Sequence, residues 1–237
     1  MRDIADLPVG GDADIAALGA LFADPARCSV LLALDDGRAL PASVLAEEAG
    51  VSRSTASSHL TKLTDAGLLR VETHGRHRYY RLAGPQVGAL LEQLVALSPP
   101  RPIRSLREGT RAAKLRSART CYDHLAGRLG VELMGSLLDR GVLSGGDGRY
   151  ELTDRGRDYL TELGVDIRFG RRPVVRYCVD WSEQRHHLGG ALGRAILERF
   201  LAARWISRVP RGRAVAVTAE GRTALADRFG VDWPGSR

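Results

Sequence analysis

The sequence has few of the residues that stabilise secreted or membrane-embedded proteins. Among 237 residues there are three cysteines, and aromatic side chains make up only 5%. An odd, small number of cysteines excludes a complete disulfide framework and suits a reducing compartment. No apolar run is long enough to cross a bilayer, and the first residues are acidic rather than basic as in a secretory signal. We therefore expect a cytoplasmic protein with no membrane partner.

Positive charge, by contrast, is in excess and is unevenly distributed. The formal net charge is +7, with six lysines and arginines against two acidic residues in 52–81 and seven against one in 101–119. Because lysine and arginine displace counterions from phosphates, this distribution favours a polyanionic partner. The run at 101–119 reads either as an exposed linker helix or as a supplementary phosphate contact, and a solvated face is the simpler of the two.

The first 66 residues predict four short helices. An amphipathic helix covers 12–23, and Asp24 followed by Pro25 starts a second helix, which ends at 35–37. A third helix covers 41–49, and Gly50 supplies the left-handed turn after it. Ser52 caps a fourth helix that runs to about Ala66. Helix, turn and helix in this order are typical of a DNA-reading module.

The fourth helix and the segment after it carry the candidate DNA contacts. One face of the helix is apolar, and the other carries small polar or basic side chains that let a helix lie close to base edges. After it, an alternating segment predicts a two-stranded hairpin with a basic tip, followed by an apolar helix over 85–97. The candidate contacts are Arg53, Ser54, Thr55, Ser57, Ser58, His59 and Lys62 on the helix and Arg76, His77 and Arg78 in the hairpin. A solvated amphipathic surface is the alternative.

These stretches resemble the ArsR/SmtB family of winged helix-turn-helix repressors. The resemblance lies in DPARCSVLLAL, in LAEEAGVSRSTASSHLTKLTDAGLLRVETHGRHRYYRL and in the closing apolar helix, and it covers roughly residues 12–97. It implies a homodimer, paired through the first and last helices of this region, on a palindromic double-stranded operator. Ser54, Thr55, Ser57, His59 and Lys62 match the family's recognition helix, and Arg76 and Arg78 match its wing.

Two departures from the family concern metal sensing. Many members carry paired cysteines in the helix before the recognition helix, but here that helix reads VLAEEAGV and has no thiol. Others carry Asp and His ligands on the last helix, whereas GPQVGALLEQLVAL has neither. The resemblance therefore does not by itself imply a metal site.

The C-terminal half contains an internal repeat. The first copy covers residues 121–166 and the second covers 178–232, after a basic linker helix over 99–120 that follows the N-terminal module of 1–98. Cys121 and Asp123 match Cys178 and Asp180, His124 matches His187 after an insertion of six residues in the second copy, and each copy ends with GVD. Each copy predicts a helix, a short β-hairpin and a second helix. The expected fold is thus mainly α with small β-hairpins: a winged helix-turn-helix followed by two degenerate winged-helix-like repeats over 121–237.

The repeat places two cysteines and two histidines in matched positions. Cys121 and His124 are three residues apart, which on a helix gives one face, and Cys178 and His187 recur in the second copy. Pseudo-twofold packing would unite them in a Cys₂His₂ site for zinc or another divalent metal. Groups expected near this site are Asp123, Asp180 and His186. Alternatively, the cysteines are buried packing residues and the aspartates are helix caps.

All three tryptophans, Trp181, Trp205 and Trp233, lie in or directly beside the second copy, as does Tyr177. Such residues can wall a pocket for an apolar effector, but more often they form ordinary core. The sequence therefore predicts a dimeric repressor whose operator affinity is modulated through its C-terminal half by a metal ion or a small molecule. A ligand-independent architectural DNA binder is the alternative. A thiol-dependent enzyme is disfavoured because no oxyanion loop, phosphate cradle or paired carboxylate accompanies the cysteines.

Overall fold

The computed structural model describes residues 13–75, 77–99, 102, 105–168, 170–209 and 212–234. Its elements are helices and small antiparallel strand pairs, which confirms the predicted class of a mainly helical protein with hairpins. In the described residues, no single helix is long and apolar enough to cross a membrane. Only the first two helices, bent by 85° at the break between them, pass such a test as a pair, by length and composition.

The N-terminal module has the order of a winged helix-turn-helix. Its helices and strands are α1 (Ile15–Phe22), α2 (Pro25–Ala33), β1 (Leu40–Pro41), α3 (Ala42–Ala49), α4 (Arg53–Asp65), β2 (Leu69–His74), β3 (His77–Leu82) and α5 (Pro85–Leu97). β3 lies between β1 and β2, antiparallel to both. This is the arrangement in which a recognition helix is followed by a β-hairpin wing.

The helix boundaries in this module follow the predicted local signals. The Asp24 carboxylate accepts hydrogen bonds from two backbone N–H groups at the start of α2, and Ser52 Oγ accepts one from Thr55 N at the start of α4. Gly50 has a φ of +67°, so it makes the left-handed turn between α3 and α4. A separate apolar core, which includes Leu31, Leu45 and Leu60, holds these helices together.

The rest of the chain forms one larger core from two similar segments. The first contains β4 (Arg119–Cys121), β5 (His124–Ala126), α7 (Gly127–Asp139), β6 (Leu143–Gly146), β7 (Arg149–Leu152) and α8 (Asp154–Glu162). The second contains β8 (Arg176–Val179), β9 (His186–Gly189), α9 (Gly190–Ala202), β10 (Ile206–Arg208), β11 (Val215–Val217) and α10 (Ala219–Ala224), which continues as a π-helical turn over Leu225–Phe229. Residues of both segments share a single apolar cluster.

One expectation about these segments was wrong. Each begins with a β-hairpin before its first helix, so the order is hairpin, helix, hairpin, helix. Cys121 and His124 therefore do not share a helix face: they are opposite each other across β4 and β5, as Cys178 and His187 are across β8 and β9. A spacing of three also fits a two-residue hairpin turn, and the β pairing replaces the helical one.

The last helix of each segment starts with the same small structure. Thr153 Oγ1 accepts a hydrogen bond from Gly156 N at 2.9 Å, and Thr218 Oγ1 accepts one from Gly221 N at the same distance. Each glycine packs directly on a backbone carbonyl of its own segment, Val142 O or Trp205 O, with no room for a Cβ. The matched cap and close approach give the duplication a local structural basis.

The described part of the basic run contains helix α6 (Leu106–Ser117), and its last residue, Arg119, begins β4. Arg111, Lys114 and Arg116 are exposed, in keeping with a solvated linker helix. Arg119 departs from that expectation because its side chain is fully buried. A buried guanidinium requires ionic partners, and these lie in the site described below.

We predict that Gly156→Ala destabilises the protein, because the added Cβ would lie 2.2 Å from Val142 O. Overpacking of this kind typically costs about 1–3 kcal/mol in the free energy of unfolding. Gly135 in α7 is the matched control: a Cβ there meets nothing within 4 Å, so Gly135→Ala should stabilise the helix by about 0.5–1 kcal/mol. Denaturant unfolding measures both, and equal effects of the two substitutions would contradict the close approach.

Candidate metal centre and nucleic-acid interface

The hairpins β4–β5 and β8–β9 bring four soft or borderline donor groups together. We call the Sγ atoms of Cys121 and Cys178 and the ring nitrogens of His124 and His187 the donor cluster. One ligand atom from each residue lies within 4.8 Å of all the others. Three of the residues are buried and Cys178 is half-buried. The structure thus assembles the four predicted candidates at one point, although through hairpins rather than helices.

Glycines at the start of α7 and α9 allow this close assembly. A Cβ on Gly193 would lie 3.1 Å from Cβ of His124, and one on Gly130 would lie 3.5 Å from Cβ of His187. Each histidine therefore packs on the first turn of the helix that belongs to the other segment. The two imidazole rings stack with centroids 5.2 Å apart. The cluster lies where the two segments cross.

An aspartate faces Nδ1 of each histidine. Asp123 Oδ1 is 3.5 Å from His124 Nδ1, and Asp180 Oδ2 is 3.6 Å from His187 Nδ1. Carboxylates in this position orient imidazole ligands in metal sites, as expected for Asp123 and Asp180. His186 is held elsewhere, since its Nδ1 is 2.6 Å from the Tyr150 hydroxyl.

The donor set fits a thiophilic cation. Among the described residues, His124 Nε2 and both ring nitrogens of His187 are buried without a hydrogen-bond partner, which is costly unless another ligand satisfies them. A tetrahedral zinc site with bonds of about 2.0–2.3 Å needs donors about 3.3–3.8 Å apart. The ligand atoms lie within 4.8 Å of one another, so a contraction of at most about 1 Å would bring them into this range.

The ionisable groups of the cluster are strongly coupled. Burial disfavours a charge on His124, but Asp123 and Cys178 outweigh burial and raise its pKa to about 9. Burial, together with the charge on His124, lowers the pKa of His187 to about 3. Contact with Cys121 and with His124 lowers the pKa of the Cys178 thiol, while the pKa of Cys121 is raised. The shifts therefore favour a thiolate at Cys178 beside an imidazolium at His124.

Next to the donor cluster, and linked to it through Asp180, lies a group of buried charges that joins the two halves of the chain. We call it the ion cluster. Arg213 contacts both Asp35, just after α2, and Glu92 on α5. Arg119 lies 2.9 Å from Asp180 and 3.6 Å from Glu92, and its guanidinium stacks on Trp181.

Sequence reasoning missed Asp35, Glu92 and Arg213 as residues of this region. Two signals were present. Asp35 and Asp36 end a helix, where the dipole disfavours acidic side chains, and Glu92 interrupts the apolar pattern of α5. Burial raises the pKa of Asp35 well above its usual range despite the nearby Arg213. Both signals are typical of an acidic side chain that pairs with a buried cation, here Arg213.

The predicted DNA contacts lie mostly on one exposed surface. Those exposed to solvent are Arg53, Ser54, Thr55, Ser57, Ser58, Lys62, His77 and Arg78. His59 is half-buried, with Nε2 3.9 Å from the Asp24 carboxylate. Arg76 lies outside the described residues. The outer face of α4 and the described part of the wing are therefore free to meet a duplex.

The aromatic residues of the second segment have different surroundings. Trp233 is buried and Trp205 is half-buried, and both belong to the C-terminal core, whereas Tyr177 is exposed. Trp181 lines a cavity of about 710 Å³ between α2, α5, α6 and the segment at Gly212. Core packing thus accounts for two of the three tryptophans.

Comparison with known proteins agrees with this architecture. Residues 22–72 match the family model described as "Helix-turn-helix domain". The chain is 44% identical over 221 residues to the HTH-type transcriptional regulator YdfF of Bacillus subtilis, a match that covers 92% of this chain and 98% of that protein. The protein is therefore a DNA-binding transcriptional regulator of the helix-turn-helix class. It belongs to the family of HTH-type regulators that contains YdfF.

Further relatives match about a third of the chain. The HTH-type transcriptional regulator CmtR of Mycobacterium tuberculosis is 41% identical over 81 residues, which is 34% of this chain and 68% of CmtR. A solution structure of CmtR, described as a cadmium sensor, matches at 36% identity with a TM-score of 0.30 over 39% of this chain and 99% of that one. The homodimeric winged helix domain Mb0332 of Mycobacterium bovis matches at 28% identity with a TM-score of 0.32, over 36% and 86%. The resemblance to ArsR-like regulators is confirmed for the N-terminal module.

We predict that Arg119→Ala lowers the free energy of unfolding by about 3–5 kcal/mol, because it leaves the carboxylate of Asp180 buried without its cation. The matched control is Arg194→Ala, which breaks an exposed pair with Glu198 one helical turn away and should cost only about 0.3–0.5 kcal/mol. Urea unfolding at neutral pH compares the two variants. A loss at Arg119 no larger than at Arg194 would argue against a structural role for the ion cluster.

Proposed function

We propose that this regulator is a cytoplasmic, dimeric repressor whose affinity for a palindromic operator is set by a divalent metal ion held by Cys121, His124, Cys178 and His187. The observation that carries the proposal is the donor cluster: two thiols and two imidazoles within 4.8 Å of one another, three of the four residues buried, with three imidazole nitrogens that have no hydrogen-bond partner. The function is non-enzymatic. Its named relatives are transcriptional regulators.

The DNA-binding part of the proposal rests on α4 and the wing. The short side chains of Ser54, Thr55 and Ser57 allow α4 to approach base edges, and Arg53 and Lys62 at its two ends can reach phosphates. Arg78 lies on the wing strand β3, where it can contact the backbone beside the groove. Base reading and phosphate contact would thus be divided between these residues.

Dimerisation is supported by apolar side chains that this chain leaves uncovered. α1 has no buried residue in the described structure, with Ile15 76% and Leu18 37% exposed. Leu97 at the end of α5 is 83% exposed. A second copy packed on these two helices would bury them and would present two recognition helices to the two half-sites of a palindrome.

The ligand types of the donor cluster, two thiolates and two imidazoles in the metal-bound form, determine which metal ions would bind. Such ligands favour zinc and other thiophilic divalent ions over magnesium or calcium, which prefer oxygen. A bound ion would supply two positive charges and four ligand bonds, and so would satisfy the buried nitrogens and neutralise both thiolates. Asp123 and Asp180 would orient the imidazoles through Nδ1.

A small-molecule effector is the second candidate, because the cavity beside Trp181 has the size of a typical ligand pocket. It is lined by Arg213 of the ion cluster and by helices of the N-terminal module, so a ligand there would also contact both halves. If neither effector acts, the protein is an architectural DNA binder in which the donor cluster only packs the two segments.

Arg53→Ala and Lys62→Ala should each weaken binding to a duplex selected by the protein from a random-sequence pool. Loss of one phosphate contact should also reduce the slope of log affinity against log salt by about 1. The control is Arg155→Ala, which removes an exposed charge on α8 far from the reading surface. Fluorescence anisotropy at several salt concentrations measures the slopes. Slopes unchanged in all three variants would remove α4 as the reading helix.

Purified protein should bind one Zn²⁺ or Co²⁺ per chain, with thiolate-to-metal absorption in the cobalt form. Cys121→Ser or Cys178→Ser should weaken binding by more than the roughly 10- to 100-fold that loss of an outer partner causes. Cys28→Ser is the matched control, because this third thiol is half-buried in α2 and donates to Phe22 O instead. Absence of bound metal by elemental analysis, with no cobalt–thiolate band, would contradict the metal proposal.

A further inference from the structure

The turn that joins the two metal-ligand candidates of the first hairpin lies against the N-terminal module. We propose that Tyr122, in this turn, is the residue through which the state of the donor cluster is communicated to the DNA-reading helices. This inference rests on the proposed function and adds the route of regulation. It assigns a positioning role to a residue that is neither a ligand nor a DNA contact.

Tyr122 occupies a seat made by two glycines and a backbone carbonyl. Its N–H donates to Asp35 O at 3.1 Å, just beyond the end of α2. A Cβ on Gly88 of α5 would lie 3.1 Å from Cβ of Tyr122, and one on Gly37 would lie 3.0 Å from its carbonyl oxygen. The aromatic side chain packs against the apolar core of the N-terminal module. The seat therefore contacts two different helical elements of that module.

The backbone of Tyr122 is in the left-handed region, with a φ of +55°. This conformation is uncommon for a bulky side chain and persists only where surrounding contacts hold it. Here the hairpin pairing of Cys121 with His124 holds it on one side and the seat holds it on the other. The torsion angles of this residue thus depend on both halves of the protein.

The donor cluster and the turn cannot adjust independently. Cys121 and His124 directly flank Tyr122 and Asp123, so any change in the separation of these two ligands alters the torsions of the two-residue turn. Binding of a tetrahedral ion would draw the four ligand atoms, which lie within 4.8 Å of one another, to separations of about 3.3–3.8 Å, a shift of at most about 1 Å. Tight packing transmits shifts of this size instead of absorbing them.

On the other side of the seat, α2 extends from Asp35 to a contact with the recognition helix α4. Asp35 follows its C-terminal end, and Asp24 at its N-terminal end lies 3.9 Å from His59 of α4. Nine helical residues span about 13 Å, so one rigid element connects the seat with α4. The ion cluster beside the seat, with Arg213 joined to Asp35 and Glu92, fixes the two halves relative to each other.

In the described structure the turn of the second hairpin makes no hydrogen bond to the N-terminal module, although Trp181 of this turn lines the cavity beside α2. This turn is longer, spanning Asp180 to Arg185, and Asp180 is bound by Arg119, Ser182 and the Gly127 N–H within the C-terminal half. Tyr177, which precedes the ligand Cys178, is 42% exposed and packs on Tyr150 and His186. The duplication therefore has two ligand hairpins, of which the first has a turn that is hydrogen-bonded to the segment directly after α2.

The test compares Tyr122→Asn with wild type in the full-length protein. Asparagine tolerates the left-handed conformation but lacks the ring. For wild type, saturating Zn²⁺ should change the affinity for the selected duplex by at least about 5-fold, the lower end of usual coupling. For Tyr122→Asn we expect one Zn²⁺ per chain and unchanged ion-free DNA affinity, with a zinc effect below about 2-fold. Tyr122→Phe, which keeps the ring, should retain the response.

Tyr177→Asn is the matched control, because it removes a tyrosine next to the other cysteine whose ring contacts are with Tyr150 and His186 of the C-terminal half, and its response should equal that of wild type. Since coupling is reciprocal, DNA should change Zn²⁺ affinity by the same factor in wild type and not in Tyr122→Asn. Gly88→Ala, which fills the seat from α5, should also reduce the response and keeps the test available if Tyr122→Asn does not fold. A full zinc response in Tyr122→Asn or Gly88→Ala overturns the inference alone, whereas absence of any zinc effect on wild type overturns the proposed function with it.

Discussion

The arrangement of the C-terminal half depends on how closely two hairpins approach two helices. A Cβ on Gly130 would lie 2.5 Å from Leu125 O, and one on Gly193 would lie 2.5 Å from Leu188 O, so each hairpin folds directly onto the first turn of its own helix. The same two glycines also pack against the histidine of the opposite segment, Gly130 against His187 and Gly193 against His124. A side chain at either position would separate the hairpins, and the four donor groups would no longer meet. The donor cluster is therefore a consequence of backbone packing as much as of residue type.

The junction between the two halves is built mainly from charges. Asp36 is buried and contacts Arg208, while Arg38 donates to Gly212 O, so the loop after α2 is fastened to the second segment at several points beyond the ion cluster. Buried ionic contacts contribute less net stability than apolar packing of equal area, but they fix geometry, because an unpaired charge there is costly. A junction of this kind suits a protein in which one half must follow the state of the other.

Much of this architecture was predictable from local patterns. Asp24, Pro25, Gly50 and Ser52 define the helix boundaries through capping chemistry that acts within a few residues, and the structure follows them. The four donor residues could be identified because the duplication repeats their types, even though the spacing of Cys121 and His124 suggested a helix where the chain forms a hairpin. Periodicity does not distinguish a one-turn helical spacing from a two-residue turn.

The contacts between the halves were not predictable in the same way. The charge pattern places Arg119 in a solvated basic run, yet its side chain is fully buried. Its partner Asp180 lies 61 residues away in sequence, so no local pattern indicates the pairing. Asp35 and Glu92 stood out only as acidic residues in unsuitable places. Tertiary packing decides which distant charges pair, so a single sequence can indicate an unusual acidic residue without identifying its partner.

The duplication also determines how the donor set is assembled. Where a site is shared between subunits, its ligands meet only as fast and as often as the subunits associate. Here both pairs of ligands are on one chain, joined by 56 intervening residues between Cys121 and Cys178, so their encounter is intramolecular and independent of protein concentration. If the proposed ion binds there, its affinity would not depend on how many copies of the protein a cell contains.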